Sequence, residues 1–194
     1  MRITLDAAAI GSGLGAAVPP VSLVAEPGIT VLAVKTAERP LLVSMLLGGR
    51  LRPDSGSVHP ADLRDRVALV DTPVVAEPTA GVSLTSVVRE EFSFAGLPAS
   101  RGAVRAFLEQ HELFGYAKVP IRSLPPADRV RLFSELALLR DGVDALVITS
   151  PERHGGEPAD WYAALSTIAA RGITVVIVTD AVTADALASL QEAA

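Results

Sequence analysis

The chain has 194 residues, of which 49% are hydrophobic, 20% charged and only 4% aromatic. This length suits one domain, and the composition predicts a globular protein with an aliphatic core and excludes a disordered chain. A net charge of −5 argues against general nucleic-acid binding, and the absence of cysteine excludes disulfides and thiolate metal sites.

The first quarter of the chain predicts short strands followed by a strand–loop–helix unit. Arg2–Asp6 alternates apolar and polar residues, and Val21–Ala25 is a short apolar run, so both predict strands. The apolar run Ile29–Val34 predicts a buried strand, and Leu41–Leu47, closed by two glycines, predicts a helix. Strand, loop and helix in this order form the frame on which P-loop proteins hold phosphates.

The remainder of the chain alternates predicted helices and strands, which indicates a parallel sheet with helices on its faces. Further strands are predicted near Val58 and over Arg66–Val70, Asp144–Ile148 and Gly172–Val178. Helices are predicted over Ser83–Phe94, with Ser83 as N-cap, and over Ser100–Phe114, Ala127–Leu139, Ala159–Ala170 and Ala184–Gln191. No apolar run approaches the roughly 20 residues that span a bilayer, and no secretory signal is recognisable, so we expect a soluble or peripheral protein.

Several segments share a resemblance to one family. VSLVAEPGITVLAV, LLGGRLRPDSGSV, RVALV, RSLPPADRVRLFSELALL, DALVITSPE and GITVVIVTD occur in this order along nearly the whole chain. Together they resemble the ATP-binding cassette (ABC) ATPases, the nucleotide-binding subunits of ABC transporters. They are similar to the strands before the Walker A loop, the segment after it, the Q-loop strand, the signature helix, Walker B and the last core strand.

The resemblance implies an α/β fold of the P-loop NTPase type. We expect a mixed sheet with a mostly parallel core, a small antiparallel N-terminal sheet and a shortened helical subdomain. Residues 1–194 would form one domain, with 1–72 and 140–194 as the core subdomain and 73–139 as the reduced helical subdomain with its signature-like helix.

The loop at the Walker A position lacks the residues that bind phosphate in the family. Pro40 stands at the position of the lysine and Leu41 at that of the metal-binding hydroxyl, while Ala37 and Arg39 replace glycines. Glu38 would repel a phosphate by about 1–4 kcal/mol. The degenerate nucleotide-site positions are Lys35, Thr36, Ala37, Glu38, Arg39, Pro40, Leu41, Leu42, Thr72, Thr149, Ser150 and Asp180.

The other motifs are substituted as well. The resemblance places Thr149 and Ser150 where Walker B has its metal-binding Asp and its catalytic Glu, and Asp180 where a switch histidine is expected. Thr72 stands at the Q-loop glutamine, and Pro125, Pro126 and Ala127 stand at the signature serine and glycines. We therefore expect no catalytic residue, metal site or cofactor.

The remaining residues with site-like chemistry are predicted to have structural or surface roles. Glu152 is predicted to be a surface charge, and Trp161-Tyr162 to pack in the core or an interface. The histidines have no ligand-like spacing and are each predicted to lie at the surface, at positions His59, His111 and His154.

The first functional hypothesis is a non-hydrolysing ABC-ATPase-like scaffold or regulator that docks on a membrane permease or an active ABC ATPase subunit. Its mean hydropathy of +0.40 fits a buried interface, although a large aliphatic core explains it equally well. A homodimer is also compatible, while nucleic-acid binding and direct membrane insertion are not expected. In the family a groove receives a helix of the transporter, and here it would be lined by Thr72, Pro73, Val87, Phe92 and Phe94.

Two alternatives remain open from the sequence. A divergent but working ABC ATPase would bind ATP and Mg²⁺ with Lys35 or Arg39 on the phosphates, although solvated pairing of these residues with Glu38 is the simpler interpretation. A sensor would use the vacated pocket for another ligand. On the first two hypotheses the protein is cytoplasmic or peripheral at the cytoplasmic face of the membrane.

Overall fold

A computed structural model describes residues 1–35 and 39–192 of the chain. The strands in chain order are β1 Ile3–Ile10, β2 Val18–Ala25, β3 Gly28–Ala33, β4 Ser55–His59, β5 Val67–Val70, β6 Ala145–Thr149 and β7 Thr174–Thr179. The helices are α1 Arg39–Leu47, α2 Leu63–Arg66, α3 Leu84–Phe94, α4 Arg101–Gln110, α5 Pro126–Ala137, α6 Pro158–Ala169 and α7 Ala181–Glu192.

A parallel sheet of four strands, in the order β3-β7-β6-β5, forms the centre of the molecule. Every residue of β5, β6 and β7 is buried, as expected for strands covered by other elements on both faces. Alternate residues face two separate cores. One side of the sheet packs against α3 to α7, and the other packs against α1 and the N-terminal strands.

The N-terminal strands form an antiparallel sheet in the order β2-β1-β4. β1 extends to Ile10, beyond the predicted Arg2–Asp6, because an irregularity near Ala7 shifts its register against both neighbours and ends the simple alternation. Ala7 has φ 45°, and Gly56 of β4 lies against it. A Cβ added to Gly56 would lie 2.2 Å from the carbonyl oxygen of Ala7, so only glycine fits this approach.

The two sheets confirm the predicted fold class, with all antiparallel pairing of the described strands confined to the small sheet. The predicted helices are present with ends shifted by a few residues. Ser83 caps α3 as predicted, because its Oγ accepts from the N–H of Ser86 at 3.3 Å. Trp161 of α6 is fully buried in the core, consistent with its predicted packing role. Among the helices of residues 1–35 and 39–192, none has both the length and the apolar character needed to cross a bilayer.

Candidate functional site at the carboxyl edge of the parallel sheet

The carboxyl ends of the four parallel strands form one edge of the sheet, and a cleft of about 770 Å³ lies along it. Ligands of open α/β sheets bind at this edge. Of the predicted site positions, Lys35, Pro40, Ser150 and Asp180 line the cleft, as do Pro73, Glu152 and Arg153. The lining does not include Arg39, Leu41, Leu42, Thr72 or Thr149, while Thr36, Ala37 and Glu38 lie outside the described residues.

The start of α1 is committed to helix formation and packing. Pro40 is buried in the first turn, where its missing N–H leaves no helical hydrogen bond unmade. Arg39 Nε donates to the carbonyl oxygen of Ala17 at 3.3 Å, which links the helix to the residue before β2. Leu42 packs against the core between α1 and the antiparallel sheet. These three residues therefore have structural roles that need no ligand.

A buried chain of hydroxyl groups lies between α1 and the sheet. The Oγ1 of Thr149, at the end of β6, donates to the Oγ of Ser44 on α1 at 2.8 Å. Thr72, two residues after β5, approaches the same Thr149 oxygen at 2.9 Å, and because the Thr149 proton is already used, Thr72 is the donor. All three side chains are at most 1% exposed. Each of the three neutral hydroxyl groups therefore has a hydrogen-bond partner within the group.

Ser44 was not predicted as a member of this group. It is the one hydroxyl in the otherwise mostly apolar α1, and a polar residue on a buried helix face needs a partner. The parallel order of β5 and β6 places the residues after both strands near this helix. The buried hydroxyl group could therefore have been predicted from the sequence, by pairing the polar residue of α1 with the threonines that follow or end β5 and β6.

The turn after β6 is held in an unusual conformation by one arginine. Ser150 has φ 47° and ψ 59°, in the left-handed region that residues with a side chain seldom adopt. Arg153 donates to the carbonyl oxygens of Thr149 at 2.6 Å and Ser150 at 3.3 Å, and also to that of Asp71. Its guanidinium therefore fixes the backbone at the position where the resemblance expects a catalytic glutamate.

The carboxylates of the cleft also make structural hydrogen bonds. Glu152 Oε2 accepts from Thr179 Oγ1 at 2.7 Å, so the prediction that Glu152 is only a surface charge is wrong. Asp180 Oδ1 accepts from the N–H of Thr183 at 2.7 Å in the first turn of α7. Glu152 thus links the turn after β6 to the end of β7, and Asp180 acts as the N-cap of α7.

Behind the cleft lies a cluster of charged residues centred on Asp71, the first residue after β5. Asp71 is 5% exposed and Arg129 of α5 is 4% exposed. Arg129 binds both carboxylate oxygens, with Nε 2.6 Å from Oδ2 and Nη2 2.7 Å from Oδ1. Arg153 Nη2 lies 3.4 Å from Oδ1, and His154 Nε2 lies 3.0 Å from Oδ2. Glu77 Oε1 lies 3.7 Å from an Nη2 atom of each arginine.

The charges of this cluster balance, with two carboxylates against two arginines. Burial, the largest single influence, raises the pKa of Asp71, but His154, Arg129 and Arg153 together hold that pKa below its ordinary value. One ligand atom each from Asp71, Glu77 and His154 lies within 4.8 Å of the others, a spacing that a metal ion could bridge. Because both Asp71 oxygens already accept from Arg129 and two arginines face the group, we interpret it as an ion network.

Two histidines differ from their prediction as surface residues. His154 is only 18% exposed because its ring packs against Asp71. His111 is partly buried, with its ring centroid 4.3 Å from that of Phe107. Burial lowers the pKa of His111, with further lowering from Arg131 and Arg171 and an opposing effect of Glu135. His59 is exposed, as predicted.

A second cleft of about 330 Å³ lies where the partner groove was predicted, between the loop after β5 and α3. Of the five predicted groove residues, Val87 and Phe94 line it, and Phe94 is 65% exposed. Thr72 and Phe92 are buried, and Pro73 lies on the larger cleft. The cleft is also lined by Val75, which is 45% exposed, and by Glu90 and Glu91, all within the segment Thr72–Phe94 expected to line the groove. Sequence reasoning missed Arg50 and Arg140, which complete the charged rim from outside that segment.

Comparison with solved structures gives one consistent result. A bacterial ABC transporter cassette solved as a dimer has a TM-score of 0.68 at 16% identity, covering 94% of this chain and 89% of that one. A Pyrococcus furiosus protein described as an ABC transporter ATP-binding protein has a TM-score of 0.67 at 11% identity, covering 93% and 92%. CbiO1 from Clostridium perfringens, described as part of the transporter complex cbiONQ, has a TM-score of 0.63 at 15% identity, covering 92% of this chain and 78% of that one.

No protein-family model and no curated protein matches the chain. The likeness therefore rests on three-dimensional structure and extends over nearly the whole chain. The chain has the fold of the ATP-binding cassette ATPases.

Proposed function

We propose that this protein is an ABC-ATPase-like subunit that neither binds nor hydrolyses ATP efficiently and that acts as a scaffold or regulatory partner of a membrane permease or an active ABC ATPase. The observation that carries the proposal is the buried hydroxyl chain of Ser44, Thr149 and Thr72. In the resemblance, Thr149 stands at the metal-binding aspartate. Mg²⁺ in nucleotide sites is usually bound by one or two carboxylates together with substrate phosphates and water, and this buried neutral group offers neither a carboxylate nor room for water.

Two further observations support the loss of nucleotide chemistry. Pro40, at the position of the phosphate-binding lysine, is buried in the first turn of α1 and carries no charge. Arg153 and Asp180, which line the cleft, already bond to backbone groups. A triphosphate would meet few uncommitted donors at the described part of the cleft.

Docking on a partner protein requires the surface of this fold but not the binding or hydrolysis of ATP. We propose that residues 1–72 and 140–194 form the core subdomain and 73–139 a reduced helical subdomain, as expected from the sequence. The cleft beside α3 exposes Val75 and Phe94, which offer an apolar surface to a partner segment. The protein would then work at the cytoplasmic face of a membrane, bound to its permease or ATPase partner.

Isothermal titration with Mg-ATP tests the nucleotide half of the proposal. We expect no binding in the micromolar range and no phosphate release in a coupled assay. Micromolar binding with turnover would overturn the proposal and favour the divergent ATPase. In that case Lys35→Ala combined with Arg39→Ala should abolish activity, and the matched exposed variant Arg101→Ala should retain it.

Co-purification with a co-expressed partner permease tests the docking half. Val75→Asp together with Phe94→Asp should release the partner, because both place a charge on the exposed apolar surface. Phe114→Asp is the matched control, since Phe114 is 44% exposed and does not line this cleft. Equal loss of the partner in both variants would contradict docking at this site.

A ligand-binding sensor is the remaining alternative. The cleft of about 770 Å³ has the size of a small-molecule pocket, which is the observation in its favour. A thermal-shift screen separates the two functions, because a small molecule that stabilises the wild type through this cleft would support the sensor.

A further inference from the structure

A third cleft, of about 540 Å³, lies at the carboxyl end of α1, whereas the cleft of about 770 Å³ lies at its amino end. A helix of nine residues is roughly 14 Å long, so α1 separates the two clefts by about that distance. The third cleft lies between the end of α1, the turn before β4 and α2. We call it the arginine cleft, because its lining includes Arg50, Arg52 and Arg64.

The arginine cleft carries positive charge without a matching carboxylate. No acidic residue lines it, and among residues 1–35 and 39–192 no carboxylate oxygen lies within 4.0 Å of a guanidinium nitrogen of these three arginines. Arg52 and Arg64 are exposed. Two guanidinium groups are therefore available to a ligand, and a third adds its charge.

Arg50 is the structural member of the three. Its guanidinium donates to the carbonyl oxygens of Gly48 and, at 2.8 Å, of Arg64, and so is fixed at the end of α1. Burial lowers the pKa of Arg50, followed by the positive charges of Arg64 and Arg140, while Asp65 opposes the change. Arg64 is therefore close enough to Arg50 for their positive charges to repel, and an anion bound between the arginines would relieve that repulsion.

The remaining walls are apolar. Leu46 and Leu63 are buried at the base, and the sides are completed by Leu51, Pro53, Val58 and Pro60. Pockets for small molecules have this size and combine apolar walls with a few charged groups that orient the ligand. The walls suit an organic group attached to the anion.

We propose that the arginine cleft binds a small organic phosphate monoester, with the phosphate on Arg52 and Arg64 and the organic group on the apolar walls. Guanidinium groups bind phosphate through paired N–H donors. A phosphate monoester carries roughly −1.5 to −2 charges near pH 7, so it balances clustered arginines better than a carboxylate with one charge. The site is separate from the sheet edge and does not depend on whether the protein binds ATP.

Isothermal titration in a phosphate-free buffer tests this site, with phenyl phosphate as the probe. We expect one site per chain for the wild type, and about 10-fold weaker binding for Arg52→Gln or Arg64→Gln, since each removes a charged hydrogen-bond donor. The double variant should bind about 100-fold more weakly. The matched control is Arg89→Gln with Arg101→Gln, which removes the same charge from exposed positions on α3 and α4.

Three results would overturn the proposal. The first is no heat of binding with phenyl phosphate at millimolar concentration. The second is unchanged binding in the Arg52→Gln/Arg64→Gln variant, which would place the ligand elsewhere. The third is equally tight binding of phenylacetate, which would show that the cleft does not distinguish a phosphate from a carboxylate.

Discussion

The buried pair of Arg129 and Asp71 provides the sharpest test of how this fold is held together. Arg129→Met keeps much of the side-chain length and removes the charge, leaving Asp71 buried with fewer partners. Breaking a buried ion pair costs about 3–5 kcal/mol. Because Arg153 and His154 remain near Asp71 at 3.4 and 3.0 Å, we expect the lower end, about 3 kcal/mol.

Urea unfolding followed by the fluorescence of Trp161 measures this cost. Trp161 is the one tryptophan of the chain and is fully buried, so its emission reports global unfolding. With an m value of about 2 kcal/mol per M, the loss corresponds to a midpoint lower by about 1.5 M. Adding Asp71→Asn to the same chain should recover part of the loss, because no carboxylate then remains uncompensated.

The matched control is Arg105→Met on α4. Arg105 makes an equally short contact with Glu109, with Nε 2.7 Å from Oε1, but both side chains are exposed. Exposed ion pairs four residues apart on a helix contribute about 0.3–0.5 kcal/mol, so the urea midpoint of Arg105→Met should fall by only about 0.2 M. A midpoint for Arg129→Met no lower than that for Arg105→Met would refute the reasoning that burial makes the Asp71 cluster important.

Three further predictions use the same measurement of unfolding. Because the pKa of Asp71 is lowered in the folded state, its ionisation stabilises the fold above the ordinary carboxyl pKa of about 3.9, and this stabilisation is lost as the pH falls through the folded pKa. The difference in free energy of unfolding between wild type and Asp71→Asn should therefore narrow below about pH 4. The lowered pKa of His111 makes stability fall as the pH drops below about 6.5, and His111→Gln should flatten this part of the profile; an unchanged slope would contradict the shift. Gly56→Ala should lower the free energy of unfolding by more than about 3 kcal/mol, because the added Cβ would contact the carbonyl oxygen of Ala7. Gly172→Ala should lower it by only about 1 kcal/mol, because Gly172 has φ 84° but no described atom lies within 4 Å of the added Cβ. Equal losses in the two variants would exclude the steric cause.

Local patterns in the sequence were sufficient to predict most of the strands and helices. The β-branched run at Gly172–Val178 corresponds to β7, Thr174–Thr179, because such residues favour a buried pleated strand. Ser83 was recognised as an N-cap because its hydrogen bond to Ser86 spans only three residues. The extent of β1 was missed, since the alanines near Ala7 carry no hydrophobic alternation that could reveal an irregular register.

The environment of the site was much less predictable. Asp71 and Arg129 are 58 residues apart, and no local pattern pairs them. Glu152 and His154 follow β6 directly, at the same sheet edge as Asp71 after β5, so the parallel order of these strands was the usable signal for their proximity. The pairing itself depends on how α5 packs, which is set by the whole core and not by any one segment.

The hydroxyl chain has a consequence for how such a protein could regain activity. An aspartate substituted at Thr149 would place a buried negative charge against the neutral hydroxyl groups of Ser44 and Thr72. A lysine substituted at Pro40 would place a charged side chain at a buried position in the first turn of α1. Each single reversion would therefore destabilise the fold before any benefit appeared, so on the proposed function the descent from a working ATPase is difficult to retrace one substitution at a time.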